Sequence, residues 1–313
     1  MTTYQMYGWA VDADFPLHLP TSSGAPDLHI RLGELGRQSA ELPPGEVLLD
    51  YQARGRRWYS VGRLANGELT MRIYGLCDIL INAERNHVEI ALLSEADRGM
   101  AQVMTTGTIP ALLLYLDDVP VMHSSAVTCA DGRTIAFLGR SGQGKSTLAA
   151  LMCRNGAELL TDDVLPVVRQ RPVTVASGSP EVRLREAARA LAAESFRTSA
   201  DARLVVSLRP EDASMLERRL DAIFIPVPNR ENVLEVFRLS KPEAHVSLMR
   251  YPRLLGWQDP RVIRTMFGLA SAVAETIPVF GARVPWGPPF RDDIASTIAN
   301  AAASPDAVRT FGH

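Results

Sequence analysis

Short runs in which apolar and polar residues alternate fill most of the first hundred positions, separated by turn formers. The runs Trp58-Tyr59-Ser60-Val61-Gly62-Arg63-Leu64 and Leu69-Thr70-Met71-Arg72-Ile73-Tyr74 flank Asn66-Gly67. Two period-two runs around Asn-Gly predict a hairpin, because both residues accept the positive φ that a tight turn needs. The first third therefore reads as mainly antiparallel β. Residues 16–26 and 41–45 are rich in proline and read as loops. No internal repeat is visible, and no chemistry stands out in this part.

The pattern changes near residue 104. A helical stretch covers 104–116, and then Met122-His123-Ser124-Ser125-Ala126-Val127-Thr128-Cys129 and Arg133-Thr134-Ile135-Ala136-Phe137-Leu138 flank Ala130-Asp131-Gly132. That is a second predicted hairpin. Further strands are expected over 157–160, 204–208, 222–227 and 234–239, and helices over 145–155, 261–275 and 290–303. Alternating strands and helices imply an α/β core. The expected division is a smaller β-rich N-terminal domain over residues 1–103 and an α/β domain over 104–313.

Bulk composition narrows the function classes. At 313 residues, with 46% hydrophobic and 22% charged residues, the chain has ample material for two globular domains. A net charge of -2 with no isolated basic cluster lacks the footprint of a nucleic-acid binder. The N-terminus does not read as a signal peptide, and the best apolar stretch, Ile109-Pro110-Ala111-Leu112-Leu113-Leu114-Tyr115-Leu116, is far short of the roughly 20 residues that span a bilayer. A cytoplasmic protein with no nucleic-acid or membrane partner is the expectation. Cys77, Cys129 and Cys153 fit neither a disulfide framework nor a zinc site and read as buried small apolar residues. The six histidines form no metal-binding pair, so a metal is expected to arrive with a substrate.

The chemistry is concentrated in Gly139-Arg140-Ser141-Gly142-Gln143-Gly144-Lys145-Ser146, which satisfies G-x-x-x-x-G-K-[ST] between an expected strand and an expected helix. The glycines let successive backbone N–H groups converge on phosphate oxygens, and the positive end of the helix dipole points at the same place. Gly139, Ser141, Gly142, Gln143, Gly144, Lys145, Ser146 and Thr147 are thus expected to hold ATP. Lys145 should reach the β and γ phosphates, and the Ser146 hydroxyl should ligate Mg²⁺. A chance Gly-rich turn is the competing reading. Against it, the chain has only two lysines, Lys145 and Lys241, among its 33 basic residues, and one stands where a compact ammonium is wanted. Downstream, Asn155-Gly156 ends the helix and an apolar run leads to Thr161-Asp162-Asp163. A strand delivering two carboxylates beside the loop suits Mg²⁺ support and a second task. A surface turn with two solvated acids is the bland alternative.

These residues resemble HPr kinase/phosphorylase, and more closely its shorter relatives found beside peptide-tailoring genes, including lasso-peptide clusters. The resemblance covers roughly residues 105–285 and rests on His123-Ser124-Ser125-Ala126-Val127, the P-loop, Gly156 and Asp162-Asp163, whose second Asp follows Lys145 by 18 positions as in that family. It implies a P-loop kinase domain of the HPr kinase type and a kinase that transfers the γ-phosphoryl group of ATP to a serine-type hydroxyl. It also implies that Asp163 is the general base, acting with Lys145, and that His123 lies against the acidic pair. Asp162 is left for Mg²⁺ or the His123 contact, and Glu181 of Glu181-Val182-Arg183 is a further Mg²⁺ ligand. The implied partners are a serine-containing peptide or small-molecule acceptor and, by the family's habit of assembly, further copies of the chain. Two departures stand out: the histidine is displaced by about one residue, and Pro226-Val227-Pro228-Asn229-Arg230-Glu231-Asn232 replaces the Pro-Gly-Arg-Asn segment tied to dephosphorylation. A nucleotide-dependent switch or ATPase that binds a partner without phosphorylating it is the second reading.

Overall fold

The structure, a computed structural model, describes residues 2–192, 196–208 and 217–310. The chain forms two compact units, each built on its own sheet. One holds the described residues up to Asp118 together with Leu254–Arg264, and the other holds the remaining described residues.

The first unit contains β1 (Thr3–Met6), β2 (Trp9–Ala13), β3 (Leu28–Leu35), β4 (Glu46–Ala53), β5 (Arg56–Arg63), β6 (Leu69–Ile73), β7 (Cys77–Ile81) and β8 (His87–Leu93). Their order across the sheet is β1-β2-β3-β8-β7-β6-β5-β4. β5 and β6 pair antiparallel with Val61 opposite Met71, and Gly67 at the turn has φ +91°. This is the hairpin that Asn66-Gly67 predicts. The expectation of an antiparallel sheet needs correction at one place, because β2–β3 and β3–β8 are parallel. The loop over 14–27 returns the chain before β3, and a period-two pattern carries no information about strand direction. α1 (Met100–Val103), a π-helical turn over Met104–Thr108 and α2 (Ile109–Leu116) follow, so the helical stretch at 104–116 clusters with the β-rich unit. Every residue of α2 is buried, as expected of a helix apolar on all sides.

In the second unit, β9 (Val121–Met122), β10 (Ser124–Thr128), β11 (Thr134–Leu138), β12 (Glu158–Thr161), β13 (Leu165–Gln170) and β14 (Val173–Ala176) belong to the large sheet. A small separate sheet is formed by β15 (Glu181–Leu184), β16 (Arg197–Thr198) and β17 (Leu204–Ser207). β18 (Glu217–Asn229), β19 (Glu235–Arg238) and β20 (Val279–Pro285) complete the large one. Its helices are α3 (Lys145–Arg154), α4 (Lys241–Met249), the part of α5 (Pro260–Thr276) from Thr265 onward, whose first residues belong to the first unit, and α6 (Asp293–Ala303).

The large sheet has β11 near its middle. β11 pairs parallel with β18, and β18 pairs parallel with β20, while β10 and β12 continue the sheet antiparallel on the other side. All five residues of β11 are buried, the continuous apolar run expected of a strand covered on both faces. Phe224 stacks on Phe280 with centroids 4.8 Å apart and meets Phe137 at 6.2 Å. Leu148 and Met152 of α3 and Ile294 and Ile298 of α6 close this core. Cys77 is buried as expected, whereas Cys129 and Cys153 are only half-buried and pack at the edge of the core.

Candidate functional site

The strand-loop-helix unit that the motif requires is present. β11 ends at Leu138, and α3 begins at Lys145, where the Leu148 N–H donates to the Gly144 carbonyl at 2.8 Å. Gly142 and Gly144 have φ of +87° and +93°, values that a side chain would strain. The Gln143 side chain braces the turn by accepting from the Arg140 N–H. A Cβ at Gly139 would lie 2.7 Å from that same Gln143 oxygen. The absence of a side chain at Gly139 thus leaves room for Gln143, and Gly139 itself does not line the cavity. Ser141, Gly142, Gln143, Gly144, Lys145, Ser146 and Thr147 line a cavity of ≈ 200 Å³. Lys145 is 6% exposed, and its Nζ donates to the Arg140 carbonyl at 3.2 Å. Burial pulls its pKa down to about 8 against the attraction of Asp163 and Asp162.

Both acids reach the same cavity. Successive residues of a strand face opposite ways, so a continued β12 would have separated them. The chain avoids this by turning: Asp163 has φ +75°, and the Val164 N–H donates to the Asp162 carbonyl at 3.0 Å. An i to i+2 bond around a residue of positive φ is the rare, strained form of γ-turn, and such strain concentrates where function demands it.

The two carboxylates have different surroundings. Asp162 is buried, its Oδ1 accepting from Ser125 Oγ at 2.5 Å and Ser146 Oγ at 2.9 Å, and its Oδ2 from the Arg183 N–H at 2.9 Å. Burial raises its pKa, although the Ser125, Arg183 and Ser146 bonds oppose the rise. Asp163 Oδ1 lies 3.1 Å from His123 Nε2, and its Oδ2 accepts from Arg253 Nη2 at 2.8 Å and Nε at 3.2 Å. Burial pushes its pKa up, but Arg253, His123 and Lys145 together outweigh this and hold it well below the usual carboxylate range. His123 occupies a bend between β9 and β10 rather than a strand, fixed by its N–H to the Tyr251 carbonyl at 3.1 Å. Burial lowers the His123 pKa further than Asp163 restores it, and Lys145 and Arg253 add to the lowering. The imidazole is therefore neutral at pH 7, with Nε2–H donating to Asp163.

Of the residues the sequence singles out, the cavity gathers His123, Asp162 and Asp163 with the loop, and it does not include Glu181. Glu181 lies on β15 opposite Ser207, and its Oε2 accepts from Arg197 Nη2 at 2.6 Å. The Mg²⁺ role that the resemblance implies for Glu181 is thus not supported by its position. Ser125, Arg253, Arg185 and Arg203 were not anticipated. Ser125 belongs to the His-Ser-Ser segment and could have been found there. Arg253 carries no local signal: it arrives because its N–H donates to the Val121 carbonyl and Pro252 bridges to Met122.

Among the described residues, no cluster of three or more His, Cys, Asp or Glu is arranged to hold a metal alone, and no helix is long and apolar enough to cross a membrane. No protein-family model matches the chain, and no curated protein matches it. Among solved structures the chain is similar to the HPr(Ser) kinase/phosphatase from Coxiella burnetii, with 10% identity and a TM-score of 0.32, over 59% of this chain and 95% of that one. The architecture is that of a mixed α/β protein with several sheets. Its second unit carries a strand-to-helix glycine loop that matches G-x-x-x-x-G-K-[ST].

Proposed function

We propose that the chain is an ATP- and Mg²⁺-dependent kinase that transfers the γ-phosphoryl group to a hydroxyl. One observation carries the reading: the phosphate loop, its Lys145, the Ser146–Asp162 pair and the Asp163–His123 pair open onto one cavity. A phosphate chain along the loop would meet the backbone N–H groups of residues 142–146 and the ammonium of Lys145. Ser146 Oγ and the Asp162 carboxylate are hard oxygen donors of the kind Mg²⁺ prefers. Bound there beside the nucleotide, Mg²⁺ would supply charge neutralisation at the β and γ phosphates.

Asp163 is then the residue that receives the acceptor hydroxyl. Its depressed pKa makes it a weak base that stays ionised throughout the working range. That suits a loose phosphoryl-transfer transition state, which asks mainly for positioning and little for basicity. Arg253 and neutral His123 hold the carboxylate in place, leaving it to orient the hydroxyl and take its proton late. The acceptor we propose is the serine-type hydroxyl of a precursor peptide of the lasso type, on the family resemblance alone. The place of action we propose is the cytoplasm.

The competing reading is a nucleotide-driven switch, which needs only to orient water. The test is ADP release by purified protein with Mg²⁺ and ATP, in the absence and presence of serine-containing peptides, alongside Lys145→Ala. A kinase shows peptide-dependent turnover with a phosphorylated peptide by mass spectrometry, and Lys145→Ala abolishes it. Full turnover without peptide, unaltered by adding one, favours the switch.

A further inference from the structure

The cavity holds more positive charge than the loop motif accounts for. Its lining includes Lys145, Arg183, Arg185 and Arg203 against Asp162, Asp163 and Asp201. Asp163 is taken by Arg253, and Asp201 by Arg183 at 2.6 Å, leaving Arg203 4.0 Å from Asp201. Among the described residues, Arg185 has no carboxylate partner within ion-pair distance. Among the described residues Arg185 is thus the cavity cation left without a carboxylate, while Arg203 keeps a long pairing with Asp201 and Lys145 feels Asp162 and Asp163, both of which also serve other donors. Burial lowers the pKa of Arg203, and the charge of Arg185 lowers it further. Two guanidinium groups lining one cavity with the glycine loop suit an anion there.

Arg185 is also placed against the loop itself. A Cβ at Gly142 would lie 3.0 Å from its Nη2 and 3.3 Å from its Cζ. The guanidinium therefore rests on the Gly142 backbone, a contact open only to a residue without a side chain. It follows directly after β15, whose Arg183 N–H holds Asp162, so one backbone segment sets the metal-side carboxylate and the arginine together.

We infer that Arg185, assisted by Arg203, is a catalytic arginine supplied in cis, contacting the γ-phosphoryl oxygens as they pass from ADP to the acceptor. The inference rests on the kinase reading. In that step the bond from the γ-phosphorus to the ADP oxygen breaks, ADP keeps the electron pair, the acceptor oxygen bonds to phosphorus, and its proton goes to Asp163. Charge accumulates on the bridging and equatorial oxygens, and a planar donor fork beside Gly142 is suited to meet it.

The test compares wild type, Arg185→Ala and Arg185→Lys in three measurements: ATP·Mg²⁺ affinity, the rate of ATP turnover, and tightening of ADP·Mg²⁺ by aluminium fluoride, which mimics the planar phosphoryl group. Arg185 is exposed, so the variants keep the fold. Arg185→Ala should leave ATP affinity within about fivefold, lower turnover about a thousandfold or more, and abolish the aluminium fluoride effect. Arg185→Lys should recover only a small part, because an ammonium lacks the fork. Turnover and aluminium fluoride tightening within about threefold of wild type in Arg185→Ala would overturn the inference. So would an equal loss of ATP and analogue binding, which marks a uniform phosphate contact. Wild type that binds no ATP·Mg²⁺ would instead overturn the kinase reading, and this inference with it.

Discussion

Replacing Asp162 with Asn changes a single atom and inverts a hydrogen-bond pattern. In the native site Oδ2 accepts from the Arg183 N–H, while Oδ1 accepts from the Ser125 and Ser146 hydroxyls. An amide has one acceptor. Its oxygen must stay with the Arg183 N–H, since two donors cannot face each other, so its NH₂ turns to the two serines. Ser146 Oγ then accepts where it formerly donated, one lone pair is occupied, and its own hydrogen swings toward the place proposed for the cation. One charge-assisted hydrogen bond is worth about 1.5–3 kcal/mol. At about 1.4 kcal/mol per tenfold, Mg²⁺ affinity should fall by about tenfold to a hundredfold. Because the substitution also removes a buried charge, thermal unfolding should move by only a few degrees. The assay is a Mg²⁺ titration of a fluorescent ADP analogue, read against its binding in chelator. Binding in chelator should be unchanged while the Mg²⁺ midpoint rises. A midpoint within threefold of wild type would refute the assignment of Ser146 and Asp162 to the metal.

Four further outcomes follow from the geometry. Asp163→Asn should retain ATP and Mg²⁺ binding yet transfer about a hundredfold more slowly, and excess Mg²⁺ should not rescue it; rescue would reassign the two acids. Because the Lys145 pKa is lowered to about 8, the amine is protonated below that pH and neutral above it, so nucleotide binding above pH 8 must take up a proton. Calorimetry at pH 9 in two buffers of different ionisation heat should show that uptake, and buffer-independent heats would contradict it. With Pro226-Val227-Pro228-Asn229-Arg230-Glu231-Asn232 in place of the Pro-Gly-Arg-Asn segment, inorganic phosphate should not convert purified phosphoproduct to pyrophosphate at a rate comparable to the forward reaction. Phe224→Ala, deleting a fully buried ring between Phe137 and Phe280, should cost about 3–5 kcal/mol, visible as a lower denaturant midpoint with unchanged slope.

Features set by neighbours in sequence were legible, and features set by distant contacts were not. The Asn66-Gly67 hairpin, the hairpin around Asp131-Gly132 and the strand-loop-helix around Lys145 depend on turn chemistry and periodicity over a few residues. The direction of β3 was not legible, because the two faces of a strand read the same in either direction. α4 carries a readable start signal, Ser240 with Glu243 three residues on and Pro242 in the first turn, and the Ser240 N–H donates to Glu243 Oε2 at 2.9 Å. The sequence leaves open whether Asp162 and Asp163 continue the strand, where only one could face the site, or occupy a turn, and the left-handed turn at Asp163 lets both reach the cavity. Arg253 lies 90 positions from Asp163 in sequence, and no local pattern announces such a partner. Glu181 shows the converse: a matching tripeptide, Glu-Val-Arg, whose carboxylate the fold has given to Arg197.

The buried lysine of the loop also has a chemical consequence. An ordinary lysine, with a pKa near 10.4, is unprotonated in roughly one molecule in two thousand at pH 7. With a pKa of about 8, Lys145 presents the free amine in roughly a tenth of molecules. The chain's other lysine, Lys241, is pinned by Glu275 at 2.6 Å on an exposed surface. Of the chain's two lysines, an amine-directed electrophile small enough to enter the cavity is expected to favour Lys145. Any anion that settles in the loop will restore the proton and silence it. The labelling rate of Lys145 with and without a nucleotide is then a test of whether the loop is filled.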